Sequence, residues 1–138
     1  MKKRVYTACD LEEFAAAWPN LGERTVFFLT DSAAALRGDD LDYAEWRAMT
    51  AAATAAAASA ASSGTARIVA AADVEVSSTS SVDDQIAVGS ASVPAASVVS
   101  FHVDEHLRHE STEDDLIQQD LLWYAPSEID HLLGDFRG

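Results

Sequence analysis

The chain has 138 residues, a formal net charge of −14 and 49% hydrophobic residues. That is the length and composition of one globular domain, and the excess of acid argues against direct binding to a nucleic-acid backbone or an anionic membrane. Its one cysteine, Cys9, excludes an intrachain disulfide and a cysteine-rich zinc site, and points to a reducing compartment.

In chain order, a strand is predicted over 3–8. A helix over 11–18 follows, capped by Asp10 with Glu13 at capping-box spacing and ended by Pro19. A buried strand over 24–30 carries Val26, Phe27, Phe28 and Leu29. Its separation from the first strand suits a parallel crossover. Thr30 or Asp31 caps a short helix that Gly38 breaks. Asp39 or Asp40 then opens the longest helix, 41–62, closed by Gly64. Tyr43, Trp46, Met49 or Thr50, Ala53 and Ala57 form its expected buried stripe.

A strand over 66–74 reads as apolar on both faces. Residues 75–84, rich in Ser, Asp and Thr and without periodicity, read as a mobile loop. Strands over 85–93 and 97–103, with Pro94-Ala95-Ala96 between them, read as an antiparallel hairpin. Ser111 or Thr112 caps a helix over 113–119. Leu121 to Tyr124 reads as a short central strand with Trp123 and Tyr124 in the core, and Ser127 caps a last helix, 128–133. The alternation predicts an α/β or α+β domain over 1–138. Its sheet is expected to be single, mixed and mostly parallel, with five to six strands, flanking helices and one antiparallel hairpin.

Residues 102–110 hold three of the four histidines. His102, Asp104, His106 and His109 are the candidate ligands of a divalent metal, since imidazole and carboxylate at these spacings suit Zn²⁺, although no His-Glu-x-x-His signature is present. Asp10, Asp31, Asp73 and Asp104 each follow or end a predicted strand, where a parallel sheet would let them converge on Mg²⁺. No phosphate loop and no Gly-x-Ser-x-Gly elbow occurs. The acidity is one-sided: residues 1–67 hold seven basic and nine acidic side chains, and residues 68–138 hold two and fourteen. Glu113, Asp114 and Asp115 are the candidate contacts for a basic protein partner.

The segments Arg4-Val5-Tyr6, Leu41-Asp42-Tyr43-Ala44, Ile68-Val69-Ala70-Ala71-Ala72-Asp73-Val74, Phe101-His102-Val103-Asp104-Glu105 and Asp120-Leu121-Leu122-Trp123-Tyr124 resemble a family of small, uncharacterised actinobacterial proteins. The resemblance implies a single intracellular bacterial domain and carries over no catalytic residue or cofactor. The sequence therefore favours a cytoplasmic, non-enzymatic domain that binds a basic protein. A divalent-metal hydrolase using the 102–110 cluster is the alternative, and an acidic nucleic-acid mimic a weaker one.

Overall fold

The computed structural model describes residues 1–138. In chain order the elements are β1 (Lys3–Asp10), α1 (Leu11–Ala17), β2 (Asn20–Leu29), α2 (Asp31–Ala34), α3 (Gly38–Ser63), β3 (Arg67–Val74), β4 (Ser77–Ser81), β5 (Ile86–Pro94), β6 (Val98–Val103), α4 (Glu113–Ile117), β7 (Leu122–Tyr124) and α5 (Ile129–Arg137). The seven strands form one sheet in the order β4-β5-β2-β1-β3-β6-β7. Every pairing is antiparallel. The fold is α+β, and the expected mostly parallel sheet is overturned.

The correction has a simple cause. α1 does not carry a crossover; it fills the connection between two antiparallel neighbours, β1 and β2. The true crossover is α3, which takes the chain from β2 over β1 to β3. β2 and β3 therefore run the same way, but β1 lies between them. Alternation of strands and helices reports that a crossover exists, not which strands become neighbours.

The expected hairpin is also absent. β5 pairs with β2 and β4, and β6 pairs with β3 and β7. Only three residues, Ala95–Ser97, join β5 to β6, although three strands lie between them in the sheet. Curling makes this possible. β1 and β2 pair only at Val5–Phe28 and Tyr6–Phe27; β2 and β5 extend well beyond that point, and the end of β5 and the 95–97 turn meet β3. Within 75–84, Ser77–Ser81 forms the edge strand β4, exposed along its whole length. Its approach depends on Gly89, where an added Cβ would lie 2.7 Å from Val76 Cγ1 and 2.9 Å from the Ser77 carbonyl oxygen.

The two faces of the sheet are packed differently. On one lies α3, which contributes Ala48, Ala52 and Ala53 against Tyr6, Val69, Ala71 and Ile86 of the sheet. Alanine favours the helix and brings its axis close to the strands, so the large groups come from the sheet. The stripe expected from Tyr43, Trp46, Ala53 and Ala57 is displaced: the buried positions are Ala44, Ala48, Ala52, Ala53, Ala56, Ala57 and Ala60, while Tyr43 and Trp46 are 59% and 50% exposed. On the other face Val5, Phe28, Ile68, Val93, Phe101 and Val103 pack against Leu11 and Phe14 of α1. Ile129, Leu132, Leu133 and Phe136 of α5 close this core, a 3.6-residue periodicity. Phe14, Trp18 and Phe101 stack and edge-pack at 5.3 to 5.6 Å between ring centres. Truncating one such phenylalanine costs about 3–5 kcal/mol, far more than any single alanine of α3 can contribute.

Local capping follows the sequence closely. Asp10 accepts from the Glu13 amide, Thr30 from Ala33, and Thr112 and Asp115 form a reciprocal capping box. Gly64 ends α3 at φ +69°, a left-handed conformation that costs glycine least. Arg37, not Asp39 or Asp40, occupies the N-cap of α3, and the two aspartates lie in its first turn. Ser127 does not cap the last helix; it sits in a 3₁₀ turn, Pro126–Glu128, that leads into α5. No helix is long and apolar enough to cross a membrane.

Candidate functional site

Asp104 follows β6 directly, yet its side chain turns inward. Its carboxylate meets Arg67, the first residue of β3, and the two are only 1% and 2% exposed. Arg67 Nε donates to Oδ2 at 3.0 Å, Nη2 to Oδ1 at 2.9 Å, and the Arg67 backbone N–H to Oδ2 at 2.8 Å. Nη2 also donates to the Gln119 carbonyl oxygen at 3.3 Å. The pair joins the start of β3 to the end of β6 and to the segment before β7. A buried, bidentate arrangement of this kind lets two charges leave water together.

The other candidate metal ligands occupy separate environments. His102 is half-buried on β6, with Nε2 3.2 Å from Ser100 Oγ, and burial lowers its pKa below the usual histidine value. His106 is exposed, 3.8 Å from Glu105. His109 Nε2 lies 2.7 Å from the Thr65 carbonyl oxygen and donates to it, because Nδ1 accepts from the Ser111 amide at 3.0 Å. No three His, Cys, Asp or Glu side chains stand together, so His102, Asp104, His106 and His109 are not one cluster. The chain leaves its strand after Val103, and the alternation of side chains is lost with it.

The four strand-end aspartates are divided by the antiparallel sheet. Asp10 and Asp104 lie toward the Arg67 end of β3, and Asp73 ends that strand beside Arg4. Asp31 follows β2 and pairs with Lys3 near the same far end. Asp10 is further committed, accepting from the Glu13 amide and the Ser59 hydroxyl. Among the candidate partner contacts, Asp115 closes the capping box: its carboxylate accepts from the Thr112 amide while its own amide donates to the Thr112 hydroxyl, and the Thr112 amide, with the Thr112 side chain beside it, holds its pKa down. Glu113 and Asp114 are exposed on the first turn of α4. Cys9 is not a poised thiolate: burial, reinforced by Glu13, pushes its pKa up to about 12.

The most distinctive surface was hidden from sequence reasoning. Tyr43 and Trp46 project from the outer side of α3 and stack on each other at 5.8 Å. Beside them Trp46, Met49 and Ala53, with Ile117 of α4 and Leu121, line a groove of about 190 Å³ that has Arg67 in its wall. Arg67 Nη1 makes none of the guanidinium's hydrogen bonds, and no fully buried polar atom lacks a partner, so Nη1 is open to the groove. Strand alternation places Trp123 on the same side as Leu121, and Trp123 is 62% exposed. The expected central strand is therefore the sheet's edge, β7, and Trp123 is not a core residue. One signal pointed here: Tyr43 and Trp46 are the only aromatic groups of an Ala-rich helix, and alanine alone can fill the helix's buried face.

These features define an α+β domain with one curled antiparallel sheet, a crossover helix on one side and an apolar groove beside that helix. Residues 3–133 match a family of unknown function (DUF6912), and the chain belongs to that family. No curated protein and no solved structure matches it.

Proposed function

We propose that this domain is a non-enzymatic protein-binding module that takes a basic segment carrying an apolar anchor. The carrying observation is the groove at Trp46, where the exposed Trp46 and Ile117 and the partly buried Met49 and Leu121 stand around an open N–H of the buried Arg67. An exposed tryptophan with aliphatic neighbours beside a desolvated polar contact has the composition of an interface anchor point. The groove has room for one aliphatic or aromatic side chain, and Arg67 Nη1 is placed to donate to a carbonyl of the same segment. Asp120 lines the groove, and Glu113 and Asp114 stand on α4 beside it. With fourteen acids against two bases in residues 68–138, this rim favours a partner rich in Lys or Arg and adds salt-dependent steering.

The test uses short peptides with a central Leu or Phe flanked by Lys and Arg, alongside matched peptides flanked by Glu, read by tryptophan fluorescence. Basic peptides are expected to bind saturably and more weakly as salt rises. Trp46→Ala should cost about tenfold or more in affinity, the scale of a hot-spot truncation. Absence of binding, equal binding of acidic peptides, or an unchanged affinity in Trp46→Ala overturns the reading.

A further inference from the structure

The sheet ends in two unlike edges. At one end β4 consists of Ser and Thr alone, exposed along its length, with an irregular register against β5 and Ser78 at φ +57°. Such an edge offers a partner strand nothing apolar to bury, and its irregularity interrupts a continuous ladder. At the other end β7 carries three large apolar side chains, Leu122, Trp123 and Tyr124. It has no charge, proline or bulge, the devices that commonly blunt an edge. Leu122 is 44% exposed and Trp123 62%, and alternation sends them to opposite faces, so apolar surface is open on both sides of this edge. Only β6 pairs with β7, and no loop backbone or side chain bonds the main chain of 122–124. Alternate residues of an antiparallel strand turn N–H and C=O to each side, so β7 presents main-chain groups outward that nothing in the protein meets. The complement of such an edge is another extended backbone.

Charge selects the strand that fits. Residues 109–131, which enclose β7, hold seven acids and no Lys or Arg. Asp120 stands exposed just before the strand, and Asp130 stands exposed on the first turn of α5 after it. A second copy of the chain would bring this acidic stretch against itself, whereas a segment rich in Lys or Arg is drawn to it. Leu121, which lines the Trp46 groove, leads directly into β7, so groove and edge adjoin. We infer that the basic segment anchored at Trp46 runs on along β7 as an eighth strand, its main chain completing the edge and its alternate side chains covering Leu122 on one face and Trp123 on the other. This mode rests on the peptide-binding proposal and adds the conformation of the bound segment.

The test uses the full chain and a peptide with Leu-Thr-Leu-Thr between Lys and Arg residues, in three forms: unmodified, methylated on both Leu nitrogens, or methylated on both Thr nitrogens. In an extended strand one of these sets faces β7 and the other faces away. Methylating the facing set removes two main-chain bonds and should cost about tenfold or more in affinity, while the other form should stay within about threefold of the unmodified peptide. Saturation with the unmodified peptide should slow amide exchange within 122–124 and leave 77–81 unchanged. Trp123→Ala, a change at an exposed side chain, should weaken binding. Binding that leaves exchange at 122–124 unchanged, or that the two methylations affect alike, overturns the strand mode and leaves the Trp46 anchor standing. Exchange at 122–124 that slows without peptide as the chain is concentrated overturns it in favour of a second copy. Failure of every form to bind overturns both proposals.

Discussion

Replacing Asp104 by Asn removes one charge from the most buried ion pair of the protein while keeping nearly the same shape. Asp104 accepts three hydrogen bonds from Arg67, and neither residue exposes more than 2% of its surface. The variant leaves the Arg67 guanidinium charged, out of water and facing an amide that places a donor against a donor. Removal of one member of such a pair costs about 3–5 kcal/mol. That is a large part of the about 5–15 kcal/mol that holds a domain folded. At about 2.1 cal/mol/K per residue, a chain of 138 residues unfolds with an entropy of about 0.29 kcal/mol/K, so a loss of about 4 kcal/mol lowers Tm by about 14 °C. The double variant Arg67→Met with Asp104→Leu removes both charges and should recover about half of the loss. It keeps a deficit of about 1–3 kcal/mol from the Arg67 backbone N–H, whose acceptor is gone. Urea unfolding of the wild type, Arg67→Met, Asp104→Leu and the double variant closes the cycle, with Asp104→Asn measured beside them. A loss below about 1 kcal/mol in Asp104→Asn, or a double variant no more stable than Asp104→Asn, would refute the reasoning.

Gly89→Ala forces a methyl group against Val76 and the Ser77 carbonyl; we expect about 1–3 kcal/mol of destabilisation and faster amide exchange along β4, and a neutral result would mean that β4 does not pack there. Cys9, with its pKa near 12, should react slowly with a disulfide reagent at pH 8 in the native protein and quickly in urea; equal rates would contradict its burial. Asp83 is held at about 2 by the Arg47 guanidinium and the Gln85 and Ile86 amides. A folded pKa below the unfolded value of about 3.9 means that its contribution is complete above about pH 4 and is lost as pH falls toward 2. Asp83→Asn should therefore flatten stability against pH in that window, as urea midpoints at pH 4, 3 and 2 will show; parallel curves would remove Asp83 from the acid response.

Much of the local structure was written in short stretches of sequence. The caps at Asp10, Thr30 and Thr112 bond over three residues, and Gly64 stops α3 where expected. The doubly apolar run at 67–74 becomes an interior strand, buried at all but one position. Such features depend on neighbours in the chain, so composition and spacing suffice to read them. The match of residues 3–133 bears out the expected membership in a family of unknown function.

The rest rests on contacts between distant residues. Period-two alternation is the same for parallel and antiparallel strands, so it could not show that β1 lies between β2 and β3 or that β7 is an edge. An alanine-rich helix offers several nearly equivalent faces, and only the sheet's own side chains decided that Ala44, Ala48 and Ala52 turn inward while Trp46 turns out. Asp104 lies in a histidine-rich segment that suggests a metal, but its partner is Arg67, 37 residues earlier. Arg67 is the first residue of an otherwise apolar strand, and nothing near it in the chain announces an ion pair. Antiparallel pairing of β3 with β6, in register at Ile68 and Val103, sets the two opposite each other; one guanidinium N–H is left open beside Trp46, and a groove lies where the sequence showed a plain helix.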